Sequence, residues 1–208
     1  MSKTTNSIKK IFNLSSIGPK PRKKSQLWMK DVGFDEAPWY RERMGLRELE
    51  DFLEVADNRI DHVKITTLQV LGHPKEWLER KIKLYKKHSI QPYLDHGYFL
   101  KAFKKGKVNE AIDAAADLGF SAMEFMNTFG DIPENQIKDW CNRAIKNGMN
   151  IIYEHHPESG WRKTKKNIPT TLKQIIETAD RFFEYGAFAM LIDCLLYTSP
   201  SPRDFEAS

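Results

Sequence analysis

From Gln26 onward, short apolar runs alternate with longer stretches in which apolar residues recur every three or four positions. The runs are QLWMKD, DHVKIT, IQPYLD, SAMEFM, NIIYEHH and FAMLID, and each reads as a strand. Between them, Leu46, Leu49, Leu53 and Ala56 share one helical face. Leu78, Ile82 and Tyr85 repeat that spacing after Pro74, with Trp77 beside them as core. Ile137, Cys141, Ala144 and Ile145 follow Pro133 and stop at Gly148. Leu172, Ile175, Ile176 and Ala179 follow Pro169 and stop at Gly186. Residues 97–118 read as helical pieces broken at Gly106, with Ile112, Ala115 and Ala116 inward and Gly119 closing. Proline near the start and glycine past the end is the asymmetry expected of helix termini.

The apolar runs recur roughly every 30 residues, each followed by a helix, the pattern of a parallel sheet with right-handed crossovers. An eight-unit barrel of about 250 residues needs roughly 31 per unit. The expectation is therefore an α/β chain of the (β/α)8 TIM-barrel type, incomplete, with six units present. A doubly wound open sheet is the rival, but no G-x-G-x-x-G turn follows the first strand. The stretch CLLYTSPSPRD after Asp193 has no counterpart in the preceding pattern and resembles the translated read-through of a sequencing-library adapter. The expected organisation is a basic, flexible leader over 1–24, a partial barrel over 25–193 and a non-native tail over 194–208. Six strands would leave two open sheet edges, which favours aggregation.

Composition narrows the class without naming a reaction. The 208 residues are 40% hydrophobic and 12% aromatic, a globular balance. The longest apolar runs are too short to span a bilayer, and the N-terminus lacks the apolar stretch of a secretory signal. Cys141 and Cys194 cannot make a disulfide framework or a zinc cluster, so a reduced, cytoplasmic location is the default. Residues 1–24 carry seven Lys and Arg and no acid, so the overall +5 leaves the remainder two charges negative. A basic leader can touch nucleic acid or anionic lipid, but the basicity stops before the fold. The expected partners are a small anionic substrate and, in a full-length protein, further copies of the chain; neither nucleic acid nor membrane is expected.

Barrel enzymes build their sites at the C-terminal ends of strands. Those ends carry Lys30 and Asp31, Lys64, Asp95 and His96, Glu124 and Asn127, Glu154 with His155 and His156, and Asp193. Converging carboxylates and an imidazole suit a divalent metal, and an oxygen-rich set favours magnesium or manganese. A lysine opposite them can hold an anionic substrate or neutralise a developing enolate. Lys64 and Glu124 lie inside apolar runs, which solvation of a strand end does not explain. His155 and His156 are adjacent and point to opposite faces of a strand, so at most one can line a site with Glu154. His62 alternates with Lys64 and shares its face.

The segments IFNL…PKPRKK, LRELEDFLEVADNRIDHVKI, LERKIKLYKKHSIQPYLDHG, GKVNEAIDAAADLGFSAMEFMN and AFAMLID cover nearly all of residues 11–193. In these the chain resembles the phosphosulfolactate synthase family, magnesium-dependent (β/α)8 barrels that add sulfite to phosphoenolpyruvate to give phosphosulfolactate, a coenzyme M precursor. A plant heat-stress-associated branch shares the fold. The resemblance implies that Lys64 steadies the enolate, and that Glu124 and Glu154 hold Mg2+ or move a proton. It also implies that Asp193 completes the metal ligands and that His156 and Asn127 sit beside the substrate. The chain departs from the family pattern at two places. The strand-one D-K-G is Asp31-Val32-Gly33, and the small residues of the strand-three turn are replaced in LDHG by Asp95 and His96. An acid there is expected to repel a phosphate. These departures leave a non-catalytic or stress-related relative as the alternative to a lyase.

Overall fold

The computed structural model describes residues 20, 22, 26–31, 44–56, 59–127, 132–155 and 172–192. The strands are β1 (Trp28–Asp31), β2 (His62–Ile65), β3 (Gln91–Leu94), β4 (Ala122–Phe125), β5 (Asn150–His155) and β6 (Ala187–Ile192). The helices are α1 (Leu46–Ala56), α2 (Thr67–Gly72), α3 (Lys75–Lys87), α4 (His96–Lys104), α5 (Val108–Leu118), α6 (Glu134–Lys146) and α7 (Leu172–Glu184). The strands form one sheet in strict sequential order, every neighbouring pair parallel. This is the half-barrel that the spacing of apolar runs predicts. The short α2 is the one described helix without a periodic signature in the sequence.

Alternation along each strand divides the chain into two cores. Val63, Ile65, Met123, Phe125, Ile151 and Tyr153 face the helices and join Leu49, Ile82, Ile112, Ile137 and Phe182 in the main core. The opposite face carries a smaller cluster of Tyr93, Ala122 and Ile152 with Trp28 and Leu191 packed on it. There Trp28 stacks on His62 with ring centres 4.0 Å apart, meets Tyr93 edge-on at 5.3 Å and lies 5.9 Å from Phe188. Trp28 and His62 precede Lys30 and Lys64 by two residues, so the aromatics form a floor beneath the strand ends. The register of β5 on β6 shifts at Phe188: Ile151 pairs with Ala187 and Ile152 with Ala189.

Two helix ends set the approach to the strands. Gly119 closes α5 at φ 92°, the left-handed region that glycine enters without strain, and its amide bonds back to Ala115 and Ala116. Asp95 caps α4 by accepting from Tyr98 N. Of the basic leader, Lys20 and Arg22 are described. Lys20 Nζ donates to the His88 carbonyl at 2.9 Å, and Arg22 grips Asp61 at 2.6 and 3.0 Å. The rest of the leader, Asp193 and the tail lie outside the described residues.

Three expectations are corrected. Ile145 and Ile176 are exposed and lie off the inward faces of α6 and α7. Trp77 is only partly buried, with His73 stacked on it at 4.4 Å and the Lys81 ammonium 5.0 Å from its ring. Asp31 does not enter the strand-end mouth. It is level with Ile65, so its side chain turns to the helix layer, where Lys81 and Tyr85 of α3 bind it.

Candidate functional site

Lys64, Glu124 and Glu154 come from β2, β4 and β5, all on the face opposite the helices. Their levels are staggered. Lys64 lies level with Tyr93, and Tyr93 with Ala122, two residues before Glu124. Glu124 in turn lies level with Ile152, two residues before Glu154. Strands of a barrel tilt, so side chains that meet at one height climb along successive strands. The three heads converge as expected. Lys64 Nζ is 2.8 Å from Glu124 Oε1 and 3.3 Å from Glu154 Oε1.

The other edge of the carboxylate pair belongs to His96, the first residue of α4. Its Nδ1 lies 2.5 Å from Glu154 Oε2 and 3.7 Å from Glu124 Oε2, and its amide N donates to Glu124 Oε2 at 2.8 Å. A carboxylate at a helix N-terminus meets unsatisfied N–H groups and the positive end of the helix dipole. The sequence places His96 among the strand-end residues and marks it as a departure from small residues, but does not single it out as a partner of Glu124 and Glu154. The available signal was LDHG itself: an apolar strand, a capping aspartate, then a histidine obliged to stand at the first helical turn.

Asp95 holds that turn in place. Besides Tyr98 N, it accepts from Thr67 N at 3.1 Å and from the Thr67 hydroxyl, tying the β2–α2 junction to the start of α4. The carboxylate expected to repel a phosphate is therefore committed to donors in its own framework. Gly97 keeps this clamp closed, since a Cβ there would come within 2.8 Å of Thr67 Oγ1.

The electrostatics follow from burial and from four ionisable heads in contact. Burial pushes the fully buried Glu124 carboxyl up, and neighbouring Glu154 adds to the rise against the pull of His96 and Lys64. For Lys64, burial is the largest influence and acts downward, but Glu124 and Glu154 together hold the ammonium above its ordinary value. The same contest at His96 ends with the imidazole raised to about 10, because both carboxylates bond to it. Burial, together with the nearby Glu124 and Glu154, raises Tyr93 as well, so its phenol stays protonated. Glu124 Oε1 makes its ion pair with Lys64 at an angle that forms no hydrogen bond, leaving a buried oxygen incompletely satisfied.

His96, Glu124 and Glu154 offer one nitrogen and two oxygens within 4.8 Å of one another, a candidate metal-binding group. The donor chemistry fits a divalent cation, with carboxylates supplying charge and the imidazole a neutral ligand once deprotonated. His155 is buried on the helix-facing side beside Tyr153, whose hydroxyl lies 3.1 Å from its Nδ1, in line with opposite facing from Glu154. Asn127 uses both amide atoms on Ile132, at 3.0 and 3.1 Å, closing the loop after β4. The side chain expected to contact substrate thus has both its amide atoms bonded to the Ile132 backbone. His156 and Asp193 lie outside the described residues.

A family model described as (2R)-phospho-3-sulfolactate synthase (ComA) matches residues 16–194. The phosphosulfolactate synthase of Methanocaldococcus jannaschii is 28% identical over 145 residues, 70% of this chain and 56% of that protein. That of Methanothermobacter thermautotrophicus is 24% identical over 135 residues, 65% of this chain and 48% of that one. The chain thus spans about half the length of the curated relatives it matches. Among solved structures, the 3-dehydroquinate dehydratase from Aquifex aeolicus VF5 superposes with a TM-score of 0.47 at 11% identity, covering 80% of this chain and 67% of that one. No described helix is long and apolar enough to cross a membrane.

Proposed function

The chain belongs to the phosphosulfolactate synthase family, and from that premise we propose that it is a lyase-type enzyme adding sulfite, or a similar nucleophile, to phosphoenolpyruvate or a related small acid. The observation that carries the reading is the convergence of Lys64, Glu124, Glu154 and His96 at the strand ends. In the addition, the sulfur lone pair forms the bond to C3. The C2–C3 π electrons move onto C2 and the adjoining carboxylate, and C2 then takes a proton. Charge therefore grows on the substrate carboxylate. The Lys64 ammonium, held charged by its two carboxylates, is placed to offset that charge. His96, protonated at neutral pH, is the proton donor within reach of the same space. Glu154, bonded to His96 Nδ1, keeps the ring oriented. In place of that proton, a divalent cation on Glu124, Glu154 and the deprotonated His96 would act as a Lewis acid on the substrate carboxylate, with C2 then protonated from solvent; magnesium is the ion the family resemblance implies.

One observation favours the alternative, a relative without catalysis. Glu124 and Glu154 each turn one oxygen to Lys64, so the cluster neutralises itself and can stand as a structural ion-pair network. Phosphorus NMR of phosphoenolpyruvate with sulfite and a divalent cation separates the two. Loss of the enol phosphate signal to a new alkyl phosphate ester, abolished by Lys64→Met, supports the lyase. No conversion by a folded chain that binds the cation supports the non-catalytic relative.

A further inference from the structure

We infer that the cation taken by this cluster is a nitrogen-binding first-row ion of the manganese-to-zinc series, in preference to magnesium, with His96 Nδ1, Glu124 Oε2 and Glu154 Oε2 as its protein ligands. The inference rests on the metal-assisted reading above and names the metal class.

The geometry sorts the four ion-pair contacts of the cluster into two edges. Both Oε1 atoms face Lys64, and both Oε2 atoms face His96. A cation entering at the Oε2 edge can engage both carboxylates while Lys64 keeps its grip on the far oxygens. At that edge the third donor is an imidazole nitrogen, and the group of three spans 4.8 Å at most. Magnesium is a hard ion that selects oxygen and dehydrates reluctantly, whereas a site with an imidazole nitrogen gains affinity along the first-row series, least for manganese, which also accepts oxygen ligands, and more for the later ions. The histidine is not an accidental neighbour. Asp95 pins its helix turn to Thr67 through two donors, and the absence of a Cβ at Gly97 lets the turn close. Glu124 is fully buried, and because its Oε1 is taken by the Lys64 ammonium at 2.8 Å it is Oε2 that faces the imidazole edge. Three protein donors on one side leave open positions for water or a substrate carboxylate.

The test uses the full chain loaded with Mn2+, read by electron paramagnetic resonance. Three-pulse echo modulation reports a 14N nucleus bound to the ion, and competition with Mg2+ gives the ratio of affinities. The expected result is 14N modulation in the wild type that is lost in His96→Asn, with the Mn2+-over-Mg2+ preference falling at least about tenfold, the lower end of what losing even an outer partner costs. His96→Gln supplies the same comparison if the asparagine variant does not fold. Bound Mn2+ without 14N modulation, or a preference unchanged in both variants, overturns the inference and leaves the metal-assisted reading standing. A wild type that takes up neither ion overturns both.

Discussion

Lys81→Met is the substitution whose consequence the structure fixes most closely. Lys81 sits in the helix layer at 1% exposure, its Nζ 2.6 Å from Asp31 Oδ2. The same ammonium donates to Gln69 Oε1 at 3.0 Å and to the Met44 carbonyl at 3.1 Å. Asp31 also accepts from the Tyr85 hydroxyl at 2.6 Å, and Gln69 Nε2 donates to its main-chain carbonyl at 2.6 Å. Burial is the largest influence on Lys81 and leaves its pKa below the ordinary lysine value despite the adjacent Asp31. Desolvation thus outweighs attraction, and the pair contributes little compared with apolar residues of the same shape. Breaking it is another matter, because methionine fills the space and strands the Asp31 carboxylate. The expected loss is about 3–5 kcal/mol. The triple variant Asp31→Leu, Lys81→Met, Tyr85→Phe removes the carboxylate with its Lys81 and Tyr85 donors, leaving only Gln69 Oε1 and the Met44 carbonyl without the Lys81 ammonium. It should recover to within about 1–2 kcal/mol of wild type, as buried pairs replaced whole often do. Urea unfolding followed by circular dichroism measures both, provided the slope with denaturant stays constant. A Lys81→Met variant within about 1 kcal/mol of wild type, or a triple variant no better than the single, would refute the reasoning.

Burial holds the His62 pKa below 6.5, with Asp61 opposing in part, while Trp28 stacks on the ring. A lowered folded-state pKa gives stability that is present above 6.5 and lost as pH falls through and below it. Between about pH 7.5 and 5 the wild type should therefore lose more stability than His62→Phe, and parallel slopes in urea titrations would count against this. Gly97→Ala should push Thr67 and Asp95 apart, since its Cβ would meet Thr67 Oγ1 at 2.8 Å. Divalent-ion affinity should fall at least about threefold through misplacement of His96, short of the loss from removing a ligand outright; an unchanged affinity would show that the clamp does not position the ring.

Much of the fold was legible because each strand is a short apolar run and each long helix carries a single apolar face. The six runs became six parallel strands in order, and Gly119 and the Pro133 and Pro74 starts stand where periodicity placed them. Ile145 and Ile176 misled because a helical face is wider than its buried stripe. The site was legible where a charge interrupts an apolar run, as at Lys64, Glu124 and Glu154. It was not legible where backbone geometry decides. Asp31 and Lys30 are neighbours, yet alternation sends Asp31 to Lys81 and away from the mouth. Asn127 reads as a polar strand-end residue, but the Ile132 amide and carbonyl claim its side chain. His96 required knowing that Asp95 caps a helix, which turns the next side chain back over β4 and β5.

The claim on which the account turns is that Glu124 and Glu154 act with His96 as one cation-binding centre. Calorimetric titration of a divalent cation into the wild type and into Glu124→Gln tests it most directly, since glutamine keeps the shape of the side chain and removes its charge. The account predicts one ion per wild-type chain and an affinity at least about tenfold weaker in the variant. Equal affinity in the two proteins, or none in either, would contradict it.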